Sequence, residues 1–115
     1  MSRVKNKRRF GRNKSQKKAL MQSLSRNLIH NGRIKTTEAK AKELRTFVEP
    51  LITTAKKDSV QSRRKLDKHF DKKTTSKMIS EIGPQYQDRP GGYTIIIKIG
   101  QRDSDGEKEV FIELV

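Results

Sequence analysis

No aspartate or glutamate occurs in the first 37 residues of this chain, although they contain twelve lysines and arginines. These are Arg3, Lys5, Lys7, Arg8, Arg9, Arg12, Lys14, Lys17, Lys18, Arg26, Arg33 and Lys35, and they carry +12 of the formal net charge of +15. Residues 38–115 hold the other 16 basic and all 13 acidic residues, a net of +3. Nine of the first 18 residues are basic, and beyond Met1 only Val4 and Phe10 among them are large and apolar. Such a segment repels itself and has almost nothing to bury. It predicts an extended basic arm over 1–14, followed by one globular domain over 15–115.

A charge run is ordinarily a solvated face, because scattered surface ion pairs contribute little. An uncompensated arm differs, since it loses conformational freedom on binding. Binding to a phosphate-dense polymer offsets that loss, because each Lys or Arg that neutralises a phosphate releases counterions. An acidic membrane surface is the competing partner. It calls for Trp, Phe or Leu on the opposite face of a helix, and the arm supplies only Phe10. Nucleic acid is the better expectation.

Leu, Ile, Val and Phe make up 26 of the 115 residues, above the roughly 20% level below which chains tend to stay disordered. A small core is therefore expected. The absence of cysteine removes disulfides and thiolate metal sites. Uninterrupted apolar runs reach three residues, as in Ile95-Ile96-Ile97, too short for a membrane span or a signal-peptide core. The expectation is an intracellular protein with an anionic partner.

Apolar residues recur at helical spacing after the arm. Leu20, Leu24 and Leu28, flanked by Met21 and Ile29, predict a first helix with Ser15 as its N-cap and Asn31-Gly32 as its end. Arg33–Thr36 reads as a short edge strand. Thr37 then caps a second helix, whose apolar side is Ala41, Leu44, Val48, Leu51, Ile52 and Ala55 and which Pro50 should kink. Asp58-Ser59 opens a third helix that packs through Val60, Leu66 and Phe70. A fourth, Thr74 to Glu81, packs through Met78, Ile79 and Ile82 and ends at Gly83-Pro84. The period then changes to two. Tyr93, Ile95, Ile97 and Ile99 form one side of a strand, Val110, Ile112 and Leu114 one side of the next, with a turn at Asp103-Ser104-Asp105-Gly106. The fold class is α+β: three or four helices packed on a small antiparallel sheet, the C-terminal hairpin plus a candidate third strand.

Catalytic constellations are missing from this pattern. His30 and His69 stand far apart with no cysteine, so zinc-ligand spacing is absent, and both read as solvated or helix-capping residues. There is no phosphate-cradling glycine loop or nucleophile elbow. Asp103, Asp105 and Glu107 lack the ligand register of a calcium loop and read as a turn. No cofactor, metal or enzymatic activity is expected.

Binding features are more numerous. Arg8-Arg9-Phe10-Gly11-Arg12-Asn13-Lys14 has the composition of an arginine-rich segment that folds on RNA. Its arginines can grip phosphates bidentately or stack on bases, and Asn13 can read an edge. Phe10 is suited equally to stacking on a base and to tucking into the protein. Ser15, Lys17, Lys18, Arg26, Arg33 and Lys35 continue the basic surface, and Lys40, Lys42, Arg45, Arg63 and Arg64 lie off the apolar stripes of later helices. Arg89, Gly91, Gly92 and Tyr93 form either a loop against a sugar-phosphate backbone or a tight entry to the hairpin with Tyr93 in the core. No helix carries the Arg/Asn/Gln-rich face of a helix-turn-helix DNA reader. Three readings stay open on these grounds: an RNA-binding scaffold, a nucleoid-type DNA-binding protein and a small RNA-processing enzyme.

The run His30-Asn31-Gly32-Arg33-Ile34-Lys35-Thr36-Thr37, with Ala39-Lys40-Ala41-Lys42-Glu43-Leu44-Arg45 and Glu49-Pro50-Leu51-Ile52-Thr53, closely resembles the family of the seventeenth protein of the bacterial large ribosomal subunit. Gly11-Arg12, Ala19-Leu20, Lys56, Asp58-Ser59-Val60, Gly83-Pro84, Gly91-Gly92-Tyr93-Thr94 and Ile112-Glu113-Leu114-Val115 extend the resemblance over nearly the whole chain. The chain departs from the family at Gln16, Gln85 and Ile95, where His, Arg and Arg are frequent. The resemblance implies a non-enzymatic constituent of the cytoplasmic bacterial ribosome, present in single copy and bound to large-subunit ribosomal RNA near the peptide exit side. It implies neighbouring ribosomal proteins as further partners, with no DNA and no membrane.

Overall fold

The computed structural model describes residues 14–101 and 106–115. The expectation of an extended arm over 1–14 and its candidate contacts Arg3, Lys5, Lys7, Arg8, Arg9, Phe10, Arg12 and Asn13 therefore fall outside the described residues, as does most of the turn at 103–106. The first helix, α1 (Ser2–Asn31), is followed here from Lys14 onward. Ser15 is not its N-cap but lies within it, because Lys14, Gln16, Lys17, Lys18 and Ala19 are all good helix formers. α1 ends as expected: Gly32, at φ +77°, donates its N–H to the Leu28 carbonyl at 2.7 Å.

A three-stranded antiparallel sheet follows, in the order β1-β3-β2, from β1 (Arg33–Thr37), β2 (Thr94–Gln101) and β3 (Lys108–Leu114). β1 is the edge strand its length suggested. Thr37 closes it and caps α2 (Glu38–Ala55), its hydroxyl accepting from the Lys40 N–H at 3.3 Å. α2 continues through Pro50 and is the organising element, packing against α1, α3 and all three strands. It buries Ala41, Leu44, Val48, Ile52 and Ala55 against Leu28, Ile29, Leu66, Met78, Val110 and Ile112. Glu49 joins α2 to β2, its Oε2 accepting from the Thr94 hydroxyl at 2.8 Å and the Thr94 N–H at 3.3 Å.

α3 (Val60–Asp67) starts at Ser59, whose hydroxyl accepts from the Ser62 N–H. It packs through Ser62 and Leu66, with Phe70 buried just beyond it, whereas Val60 at its first position is exposed, contrary to the apolar stripe expected. The fourth helical segment is composite: α4 (Lys72–Lys77), a π-helical turn (Met78–Ile82) and α5 (Gly83–Gln85). Gly83-Pro84 therefore does not stop the helix. The wide turn lets the Gly83 N–H donate to the Met78 carbonyl, and Pro84 occupies the opening of α5, where no N–H is needed.

Two apolar stripes also differ from expectation. On α1 the buried face is Met21, Ser25, Leu28 and Ile29, and Leu20 is turned outward. On β2 the inward residues are Thr94 and Ile96, while Ile95, Ile97 and Ile99 are exposed. Register decides the second case. Ile96 pairs with Ile112 and Ile97 with Phe111, and the buried Ile112 fixes which side faces the helices.

Candidate nucleic-acid interface

The described cations fall into two groups according to whether a carboxylate meets them. Five of the expected contacts are engaged: Lys17 with Glu43 at 2.9 Å, Arg33 with Glu113 at 3.1 Å, Lys35 with Glu109 at 3.8 Å, Lys42 with Glu38 at 3.5 Å and Arg63 with Asp58 at 3.2 Å. Lys18, Arg26, Lys40, Arg45, Arg64 and Arg89 are exposed and make no ion pair within 4 Å among the described residues. Apart from Arg26, whose charge acts on the Asp71 carboxylate, the second group can neutralise phosphates without first losing a carboxylate partner among the described residues.

A basic groove lies where α1 and α2 come together. Lys14, Lys17, Lys18, Met21, Glu43, Thr46 and Phe47 line an open groove of about 410 Å³. Helical spacing puts Lys40, Glu43 and Phe47 along the α2 face turned to α1. The floor is apolar, and at the rim Lys17 is held by Glu43 while Lys18 makes no ion pair among the described residues, so a backbone whose sugars lie low finds Lys18 for a phosphate. Sequence reading missed Phe47, which is half-buried, and its position seven residues after Lys40 is the signal that could have found it.

Next to this groove lies a smaller polar hollow of about 180 Å³ lined by Gln22, Ser23, Arg26, His69 and Asp71. His69 meets Phe47 edge-on, with ring centroids 5.5 Å apart, and contacts Gln22 at 3.4 Å. Burial, and then the nearby Lys18 and Lys68 charges, hold its pKa below the ordinary value of 6.5. The Thr74 hydroxyl donates to Asp71 and holds that carboxyl below its usual range. His30 is neither free nor positioned for chemistry. Its Nε2 is 2.9 Å from the Thr74 hydroxyl, and Lys77 reaches its backbone carbonyl at 3.5 Å, closing the end of α1 against α4.

At the hairpin entry the structure decides between the two readings of residues 89–93. Tyr93 is 1% exposed, so its ring is unavailable to a base. Its hydroxyl lies 3.0 Å from that of Thr53 and receives the Lys56 ammonium at 3.2 Å, while the same ammonium donates to the Arg89 carbonyl at 2.7 Å. Tyr93 is therefore a core residue, corrected from the expected contact set, because a phenol with two local partners is satisfied inside. Gly91 and Gly92 remain at the surface beside the exposed Arg89. The exposed cations without an ion pair among the described residues thus lie on α1, α2, α3 and at the hairpin entry.

Among the described residues no group of three or more His, Cys, Asp or Glu is placed to hold a metal ion, and no helix is long and apolar enough to cross a membrane. The family model of ribosomal protein L17 matches residues 20–115. The chain belongs to that family of structural proteins of the large ribosomal subunit.

Proposed function

We propose that this member of the L17 family holds large-subunit ribosomal RNA by phosphate neutralisation, without catalysing a reaction. The acid-free leader is the principal grip, and the groove between α1 and α2 is the anchor on the folded part. One observation carries the reading: the chain has no acidic residue through residue 37, and Lys18, Lys40 and Arg45 are exposed with no ion pair among the described residues. Crowded phosphates repel one another, and interleaved cations let RNA helices approach, with shape rather than base sequence setting most contacts. The spread of exposed basic groups over α1, α2, α3 and the hairpin entry fits a protein wedged among several RNA segments better than a reader of one site. We further assign the chain to bacterial-type ribosomes of the cytoplasm, in one copy, with no DNA partner.

The test uses intact large subunits and the purified protein. RNase should release the chain from its particle, and DNase should leave it bound. Replacing Arg8, Arg9 and Arg12 by Ala should weaken binding to large-subunit RNA and leave the melting temperature of the free protein unchanged. Release by DNase, or equal affinity of the triple variant, would overturn the reading.

A further inference from the structure

The side of the sheet turned away from the helices differs in character from the rest of the molecule. Strand register puts Arg33 opposite Glu113 and Lys35 opposite Phe111, with Ile95 and Ile97 completing those rows from β2. Ile95 is 47% exposed, Ile97 41%, and Ile99 at the neighbouring bulge 47%. The cations of this face are neutralised within it. Arg33 pairs with Glu113, Lys35 with Glu109, and the Arg33 guanidinium lies 3.5 Å from the centre of the Phe111 ring.

Arg33, Lys35, Glu109 and Glu113 sum to zero in a protein of net charge +15. Among the described residues of these rows, a phosphate would meet no cation without a carboxylate partner and would face two carboxylates. RNA is therefore the wrong partner for this face. Three β-branched aliphatic side chains in water suit apolar contact instead. β2 is also an outer strand in the order β1-β3-β2, so among the described residues one of its edges has no strand to receive its hydrogen bonds. An eight-residue, isoleucine-rich edge of this kind is a template for another extended chain.

Building on the reading of the chain as an RNA-bound large-subunit protein, we propose that this face is a protein-docking surface. A neighbouring ribosomal protein lays an extended, uncharged and apolar segment along the free edge of β2, covering Ile95 and Ile97. The division of labour is electrostatic: unpaired cations on the helices take RNA, and the neutralised sheet takes protein. Main-chain pairing gives the interaction its strength, and the isoleucines select an apolar over a charged segment.

The absence of cysteine makes the test direct. I95C and I97C each give the only thiol in the chain at an exposed position, and T46C on α2 gives a probe in the basic groove. Each full-length variant carries a benzophenone maleimide, is assembled into large subunits and is irradiated. Adducts are then digested with RNase or protease and identified by mass spectrometry. Both sheet positions should link to the same large-subunit protein, and that adduct should be lost when the I97C chain also carries I95K. Links to RNA, to a second copy of this chain or to nothing in particles that contain the labelled chain overturn the proposal. Failure of the chain to enter the particle overturns it as well. T46C should link to RNA, so a protein link at Ile97 with no RNA link at Thr46 would sink the proposed RNA grip and leave the docking surface standing.

Discussion

Replacing Gly83 by Ala sets two effects of opposite sign against each other. Gly83 has ordinary helical dihedrals, φ −54° and ψ −54°, so alanine fits its backbone. Lower chain entropy in the unfolded state would stabilise G83A by about 0.5–1 kcal/mol. Against this, a Cβ at Gly83 would stand 2.6 Å from the Ala55 carbonyl oxygen, 3.0 Å from its carbon and 3.3 Å from the Met78 carbonyl oxygen. All three are backbone atoms, so no side chain can swing aside, and α5 must move away from the end of α2. Forcing a methyl into such a space costs typically about 1–3 kcal/mol. Displacement of α5 also loosens Tyr86, whose buried hydroxyl donates to the Val115 carbonyl at 2.6 Å. The expected net is a loss of about 1–2 kcal/mol, or a melting temperature lower by about 5–15 °C for a domain of this size. Thermal unfolding followed by circular dichroism measures it. G91A is the control, because a Cβ at Gly91 meets nothing within 4 Å, and it should melt with the parent or above it by up to about 1 kcal/mol of added stability. A G83A protein that melts with or above the parent would refute the argument that close approach to α2 governs this position.

Binding of the purified protein to large-subunit RNA should weaken steeply with salt. If about five to ten phosphates are neutralised, the log–log slope should be several units negative, and a flat response in a filter-binding titration would make the cations bystanders. S25A should be neutral or stabilising by up to about 1 kcal/mol, because the Ser25 hydroxyl is buried without a hydrogen-bond partner among the described residues; a clear fall in melting temperature would refute this. Y86F should lose about 1 kcal/mol with its bond to the chain end, read as a lower denaturation midpoint in urea. His69 has a folded pKa below its unfolded value near 6.5, so the folded state binds fewer protons. Its contribution is complete above pH 6.5 and is lost as pH falls through the folded value. Melting temperature should therefore fall between pH 7 and pH 5, and H69Q should flatten that slope; equal slopes would exclude His69 as the cause.

Helix existence was legible because the spacing of Leu28, Leu44, Val48, Ile52 and Leu66 needs only local periodicity, and capping by Thr37 and Ser59 needs only neighbours. The errors arose where a distant partner decides. Gly83-Pro84 reads as a stop signal by composition, yet the Ala55 carbonyl packed against Gly83 gives the glycine another purpose, closeness rather than chain reversal. The alternation around residues 93–99 is clean, but alternation cannot say which side is inward. An isoleucine triplet offers apolar residues to both sides, and the Ile96–Ile112 pairing settles the matter from β3. The Glu49–Thr94 link was invisible for the same reason, since neither residue has a local signature.

Charge shows the limit of local reading most clearly. Along the chain, Arg33 and Lys35 belong to an acid-free stretch and look as available to RNA as Lys18 or Arg26. In space, antiparallel pairing with β3 sets Glu113 and Glu109 beside them, and both are neutralised. Lys40 and Arg45 belong to a mixed-charge stretch, yet neither pairs with an acid among the described residues. Availability for phosphate is thus a property of register and helix facing, not of composition in a window. RNA affinity should therefore respond more to neutralising Lys18, Lys40 and Arg45 than to neutralising Arg33 and Lys35. K18Q/K40Q/R45Q should flatten the salt dependence of RNA binding by about two to three units, at up to about one unit for each phosphate left without its cation. R33Q/K35Q should change it little, because those charges already sit on carboxylates. An equal effect of the two sets would mean that the ion pairs open on binding, and the electrostatic division between helices and sheet would fall with it.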